Sequence, residues 1–105
     1  SIPEYTVVGF PYENFFAHRW YVSTNDSVDP IALRDRIDAT LRELNDDYAI
    51  ERDSALKEVF LEVLPEETFM QFMESKGKIG SQHKFPRVMK GKMLADWEAF
   101  LNHRK

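Results

Sequence analysis

Six cations and no carboxylate fall within residues 76–92, KGKIGSQHKFPRVMKGK, although the whole chain carries a formal net charge of −4. An ammonium held ~4 Å from a phosphate or carboxylate oxygen gains roughly 4 kcal/mol at an effective dielectric of 20. A lysine delivered from such a segment can therefore hold an anionic substrate and stabilise charge that develops on it. Gly77, Gly80 and Ser81 loosen the backbone ahead of Lys84, and Pro86 stiffens it just after. The GxxxxGK[ST] order of a P-loop is absent. Phe85 is the only aromatic residue here to stack on a base, and with the acidity of the whole chain this argues against nucleic acid as a partner. The plain reading is a solvated charged loop. The sharper one is an irregular loop that brings Lys84 to an anion.

The other titratable residues offer less. His18, His83 and His103 are far apart and show no metal-ligand spacing, so no metal is expected. His18 shares a strand face with Trp20 and Val22, which reads as a structural histidine, and His103 suits the C-terminal end of a helix dipole. Glu66-Glu67 belongs to a helix start and Asp46-Asp47 to a solvated helix end. Neither pair has the apolar surroundings that raise one carboxyl pKa for acid–base work. No serine sits in a nucleophile elbow. With no cysteine, disulfides and thiolate chemistry are excluded, and a reducing, cytoplasmic setting is expected. The residues do not make a self-contained hydrolase.

Several elements must position the basic run. YTVVGF, residues 5–10, and AHRWYVST, residues 17–24, are rich in β-branched and aromatic types and read as a hairpin joined by PYENFF. Asp29-Pro30 supplies an N-cap and a first-turn proline, and Leu33, Ile37, Leu41, Leu44 and Tyr48 then form one apolar stripe. This predicts a helix from Pro30 to about Asn45, with a short further turn in DYAIERD. KEVFLEVL, residues 57–64, alternates and stops at Pro65, so it reads as a strand with Val59, Leu61 and Val63 inward. PEETFMQFMESKG has acidic residues at its start and Gly77 past its end, a helix with Phe69, Phe72 and Met73 inward. The final helix, residues 91–103, presents Leu94, Trp97 and Leu101.

The predicted fold is α+β: a small antiparallel or mixed sheet in the order β-β-α-β-α-α, with helices packed on one face. The strand at Val59 is expected parallel to the one at Trp20. The 105 residues fit a single domain, with no span-length apolar run and no signal-peptide pattern. A first residue Ser1 in place of methionine leads us to expect a cut from a longer product or a processed start. Seven aromatic residues crowd the first 21 positions, more than a hairpin buries, so part of them is expected to face another domain or subunit.

Residues 44–87 resemble the carboxy-terminal part of the auxin-responsive GH-three family of acyl-acid amido synthetases, in particular its bacterial members. The shared residues are Leu44-Asn45, Asp47-Tyr48, Arg52, Thr68-Phe69, Gly77-Lys78, Gly80, Gln82, Lys84 and Pro86-Arg87. AHRWYV is similar to that family's AHEWLI strand. The chain departs from the pattern at Arg19 for glutamate, Glu67 for glycine, Ser81 for glycine and His83 for asparagine.

The resemblance implies a carboxy-terminal lid domain that turns over the active site of a larger adenylate-forming ligase. An acid and ATP with magnesium would give an acyl-adenylate, and an amine would displace AMP. Lys84 would be catalytic, touching the acid's carboxylate and the α-phosphate. Lys78, Gln82 and Arg87 would contact phosphate or adenylate, with Arg87 also positioning the loop. The implied partners are an amino-terminal adenylation domain and the carboxylic acid and amine substrates. No cofactor is expected in this chain by itself, and the isolated domain is expected to be inactive. The alternative is a free-standing interaction or anion-binding module that kept the fold and lost catalysis.

Overall fold

The computed structural model describes residues 4–77 and 85–104. β1 (Glu4–Tyr12) and β2 (Phe15–Ser23) pair antiparallel over their full length, Glu4 opposite Ser23 and Tyr12 opposite Phe15. The strands run further than their β-branched cores imply, so only Glu13 and Asn14 form the turn. Glu13 takes the positive φ, 54°, that a two-residue hairpin turn demands.

α1 (Pro30–Leu44) begins at Asp29, whose side chain accepts from the Ile31 and Ala32 amides, and its second residue-type signal, Pro30, occupies the first turn. Asn45 ends α1 and starts α2 (Asp46–Ser54). Its amide donates to Leu41, and its side chain accepts from the Tyr48 amide at 3.0 Å. β3 (Leu56–Leu64) follows and lies parallel to β2, with Leu61 opposite Trp20, the parallel pairing expected from the sequence.

α3 (Glu66–Ser75) starts after Pro65, and Asn25 caps it from 41 residues away by accepting from the Glu66 amide at 3.1 Å. Gly77, φ 74°, follows its end. The two-residue β4 (Val88–Met89) pairs parallel with β1, and α4 (Gly91–His103) closes the chain. The sheet order is β3-β2-β1-β4.

The α+β class and the mixed sheet are as predicted. The helices, expected on one face, instead divide between two. Val8 and Tyr21 join Phe69, Phe72, Met73 and Trp97 in one cluster, under α3 and α4. Their chain neighbours Val7 and Trp20 join Leu56, Val59, Ile37, Leu41 and Tyr48 in another, under α1 and α2. Successive strand residues point to opposite faces, so the two clusters lie on opposite sides of the sheet. The consecutive apolar residues Trp20, Tyr21 and Val22 are the signature of that two-sided burial.

A polar clamp fixes the α1–α2 side. The Tyr48 hydroxyl donates to Asp38 at 2.5 Å, Arg52 donates to both Asp38 oxygens at 2.9 and 3.2 Å, and a third Arg52 nitrogen donates to the Leu56 carbonyl at 2.8 Å. Burial alone would raise the Asp38 carboxyl, but the hydrogen bonds from Arg52 and Tyr48 and the charges of Arg52 and Arg42 outweigh it and leave it below the usual range. The Tyr48 phenol is pushed well up, first by burial and then by its bond to Asp38. Asn45, Tyr48 and Arg52, all in the shared sequence pattern, are thereby a cap and two arms of one clamp.

Asp38→Ala should cost about 2–3 kcal/mol, because it strands a partly buried guanidinium and a phenol. Asp38 titrates lower in the folded chain than unfolded, so its contribution is complete above about pH 4 and disappears as the pH falls through the folded value. Urea titrations of wild type, Asp38→Ala and Asp38→Asn at pH 7 and pH 3 check both: Asp38→Ala gives the cost at pH 7, and the gap between wild type and Asp38→Asn should narrow at the lower pH.

Candidate functional site

The basic run is built outward from two fixed ends. Lys76 forms the C-cap of α3 and its ammonium pairs with Asp96 on α4, and the same carboxylate takes Lys92 at 3.0 and 3.3 Å. Hydrogen bonds from Lys76 and then Lys92 hold Asp96 below the ordinary carboxylate range. The first and last cations of the run therefore share one anion. Asp96 escaped the sequence reading; its i, i+4 spacing from Lys92 on a helix was the available signal.

Arg87 is the one proposed contact residue that falls within the described part. Its carbonyl accepts from the Val7 amide at 2.9 Å and continues the β1–β4 ladder. Its guanidinium reaches Glu4 at 3.4 Å and the Tyr5 carbonyl at 3.3 Å, and lies 4.4 Å from the centre of the Tyr5 ring. Lys78, Gln82 and Lys84 lie outside the described residues, as do Gly80, Ser81 and His83. The structure thus holds Lys76 and Lys92 together on Asp96, and Arg87 separately at the start of β1.

Two expectations about this segment need correction. It is not irregular throughout, because Val88 and Met89 form β4. Nor is Phe85 available for stacking on a base. It is 4% exposed, with its ring centroid 4.6 Å from Phe69, 5.2 Å from Trp97 and 6.0 Å from Phe72. The residue that follows Lys84 in sequence is therefore a core residue, and the peptide after Lys84 starts from a fixed point.

Elsewhere two charged residues singled out by the sequence are accounted for by packing. His18, half-buried beside Phe16, is pushed below its ordinary pKa, chiefly by burial, with Glu51 opposing and Arg52 adding to the effect. Arg19 lies 5.2 Å from the Phe10 ring centre and 5.6 Å from that of Phe60, so the cation that replaces the family's glutamate is held by aromatic faces. Among the described residues no group of three His, Asp or Glu is placed to hold a metal ion, and no helix is long and apolar enough to cross a membrane.

Removing the shared anion should free the ends of the run without unfolding the core. In Asp96→Asn, amide exchange should quicken around Lys76–Gly77 and Gly91–Lys92 while Trp97 and Phe72 stay protected. Phe85→Ala should do the reverse and lower global stability by about 3–4 kcal/mol, as aromatic-to-alanine changes in cores do. Hydrogen exchange and chemical denaturation separate the two.

A family model described as the GH3 family C-terminal domain matches residues 1–92. No curated protein sequence matches the chain. Among solved structures, AtGH3.15 acyl acid amido synthetase in complex with 2,4-DB matches with a TM-score of 0.69 and 16% identity, over 93% of this chain and 20% of that one. GH3.15 acyl acid amido synthetase matches with a TM-score of 0.67 and 16% identity, over 93% of this chain and 19% of that one. At such identity the likeness is one of fold, and the chain spans about a fifth of the length of these structures. The family match covers most of the sequence, including the capped helices, the clamp residues and the basic run, and the chain therefore belongs to the GH3 family as its C-terminal domain.

Proposed function

We propose that this domain is the lid of a larger ATP-dependent acyl-acid amido synthetase of the bacterial type, acting in the cytoplasm and inactive alone. Membership of the GH3 C-terminal domain family carries the reading, and the likeness of fold to two acyl acid amido synthetases supports it. In the first step a carboxylate oxygen of the acid attacks the α-phosphorus of ATP and pyrophosphate leaves with magnesium. In the second an amine attacks the acyl carbon, loses a proton, and AMP leaves.

Lys84 has the role of placing a positive charge between the acid's carboxylate and the α-phosphate, where negative charge accumulates as the new bond forms. Lys78 and Gln82 contact the phosphate or adenylate, and Arg87 does so or sets the segment's position. Its bonds to Glu4 and Tyr5 favour positioning. The amino-terminal adenylation domain supplies the rest of the nucleotide site. A free-standing anion-binding module is the second reading, favoured by the departures at Arg19, Ser81 and His83.

The test is ATP–pyrophosphate exchange in the longer polypeptide that includes the preceding domain, screened against a panel of carboxylic acids. Lys84→Ala should lower exchange by roughly 100-fold or more, the scale of losing one preorganised electrostatic contact, with the circular dichroism unchanged. Undiminished exchange in that variant would remove Lys84 from the chemistry. Absence of exchange with every acid, while the domain binds pyrophosphate, would favour the second reading.

A further inference from the structure

The α1–α2 side of the sheet is only partly covered. No α1 side chain is fully buried, and Tyr5 and Val88 on the β1–β4 half are 43% and 62% exposed. A cavity of about 370 Å³ opens there between α1 and the sheet, lined by Tyr5, Val7, Trp20, Val22, Ile37 and Leu41. A second hollow of about 220 Å³ adjoins it. It shares Ile37 and Leu41 and adds Leu33, Arg36 and Thr40.

The two together make a groove with polarity. Its sheet end is mostly apolar, with Trp20 and Val22 as the floor. Its other end carries a guanidinium and a hydroxyl, Arg36 and Thr40, one helical turn apart on α1 and so side by side. The other arginines of α1 and α2 are committed: Arg34 to Asp35, Arg42 to Asp53 and Arg52 to Asp38. Arg36 has no ion pair among the described residues. The larger hollow falls within the roughly 300–1,000 Å³ usual for small-molecule sites, which combine apolar walls with a few convergent polar groups.

We propose that this groove binds an amphipathic monocarboxylate. The carboxylate sits on the Arg36 guanidinium and the Thr40 hydroxyl, and its hydrocarbon tail crosses Ile37 and Leu41 to reach Trp20. Arg36 supplies the planar, two-pronged donor that a carboxylate matches best. The proposal does not rest on the ligase reading, since every residue it uses lies in this chain and no reaction is involved.

The experiment is a titration of the isotopically labelled chain with octanoate and decanoate, below their aggregation concentrations, followed by proton–nitrogen correlation spectra. The two indole N–H signals give an internal control, because Trp20 floors the groove whereas Trp97 is fully buried in the opposite cluster. Saturable movement of the Trp20 signal with the Trp97 signal still is the expected result. Decanoate should bind more tightly than octanoate, by roughly fourfold for each additional methylene buried.

Arg36→Gln, a change at an exposed position that leaves the fold intact by circular dichroism, should weaken binding about tenfold or more. Decanol should bind the wild type more weakly than decanoate by a similar factor. Equal affinity for decanol and decanoate, or for wild type and Arg36→Gln, would reduce the site to a greasy patch and overturn the proposal. So would the absence of saturation, or a protein-concentration-dependent change of the Trp20 signal without ligand, which would mean that a second copy covers the groove.

Discussion

Trp97 is the side chain on which the α3–α4 half of the molecule depends. It is fully buried, and aromatic rings from four separate parts of the chain surround it: Tyr21 from β2, Phe69 and Phe72 from α3, Phe85 from the basic run and Phe100 from α4. The edge-to-face arrangement with Tyr21, Phe72 and Phe85 matches the attraction between positive ring edges and negative faces. One indole thus couples the position of two helices to the sheet and to the peptide that follows Lys84. Whatever the basic run meets, it meets from a base set by this packing.

The opposite side of the sheet is held differently. There the helices bury Trp20, Leu56 and Val59, with Ile37, Leu41 and Tyr48 packed against them, and a carboxylate–guanidinium–phenol clamp joins α1, α2 and the start of β3. Directional hydrogen bonds add fixed angles between those elements. The β1–β4 half of this side, where Tyr5 and Val88 are exposed, leaves surface open, and the groove along α1 reaches it.

Much of this was readable from residue patterns. The hairpin, the capped start of α1, the parallel partner of Trp20 and the two later helices all carry local signals that need no long-range knowledge. What failed was whatever depended on neighbours distant in sequence. The Trp20-Tyr21-Val22 run alternates in direction but not in polarity, and alternation of polarity is the cue for a one-faced sheet. β4 is two residues long and draws its pairing from β1, some 80 positions earlier, so it has no pattern of its own. Phe85 sits among cations and looks exposed; only the convergence of α3 and α4 makes a pocket for it. Of the candidate site, the concentration of charge was visible and the Lys92–Asp96 pair carried a local i, i+4 signal, whereas the partners of Lys76 and Arg87 depend on where α4 and the start of β1 lie in space.

The shared anchor at Asp96 has an evolutionary consequence. Both ends of the basic run meet on one turn of one helix, so the separation of those ends is independent of what lies between them. Lengthening such a connection adds only the slowly growing entropy of closure, roughly 0.6 kcal/mol for each doubling. Phe85, Val88 and Met89 are built into the core and the sheet, so this freedom is confined to positions 78–84, where insertions, deletions and changes of composition can accumulate without removing those contacts. This makes that stretch an exchangeable cassette, in which descendants can try new recognition chemistry without first rebuilding the scaffold.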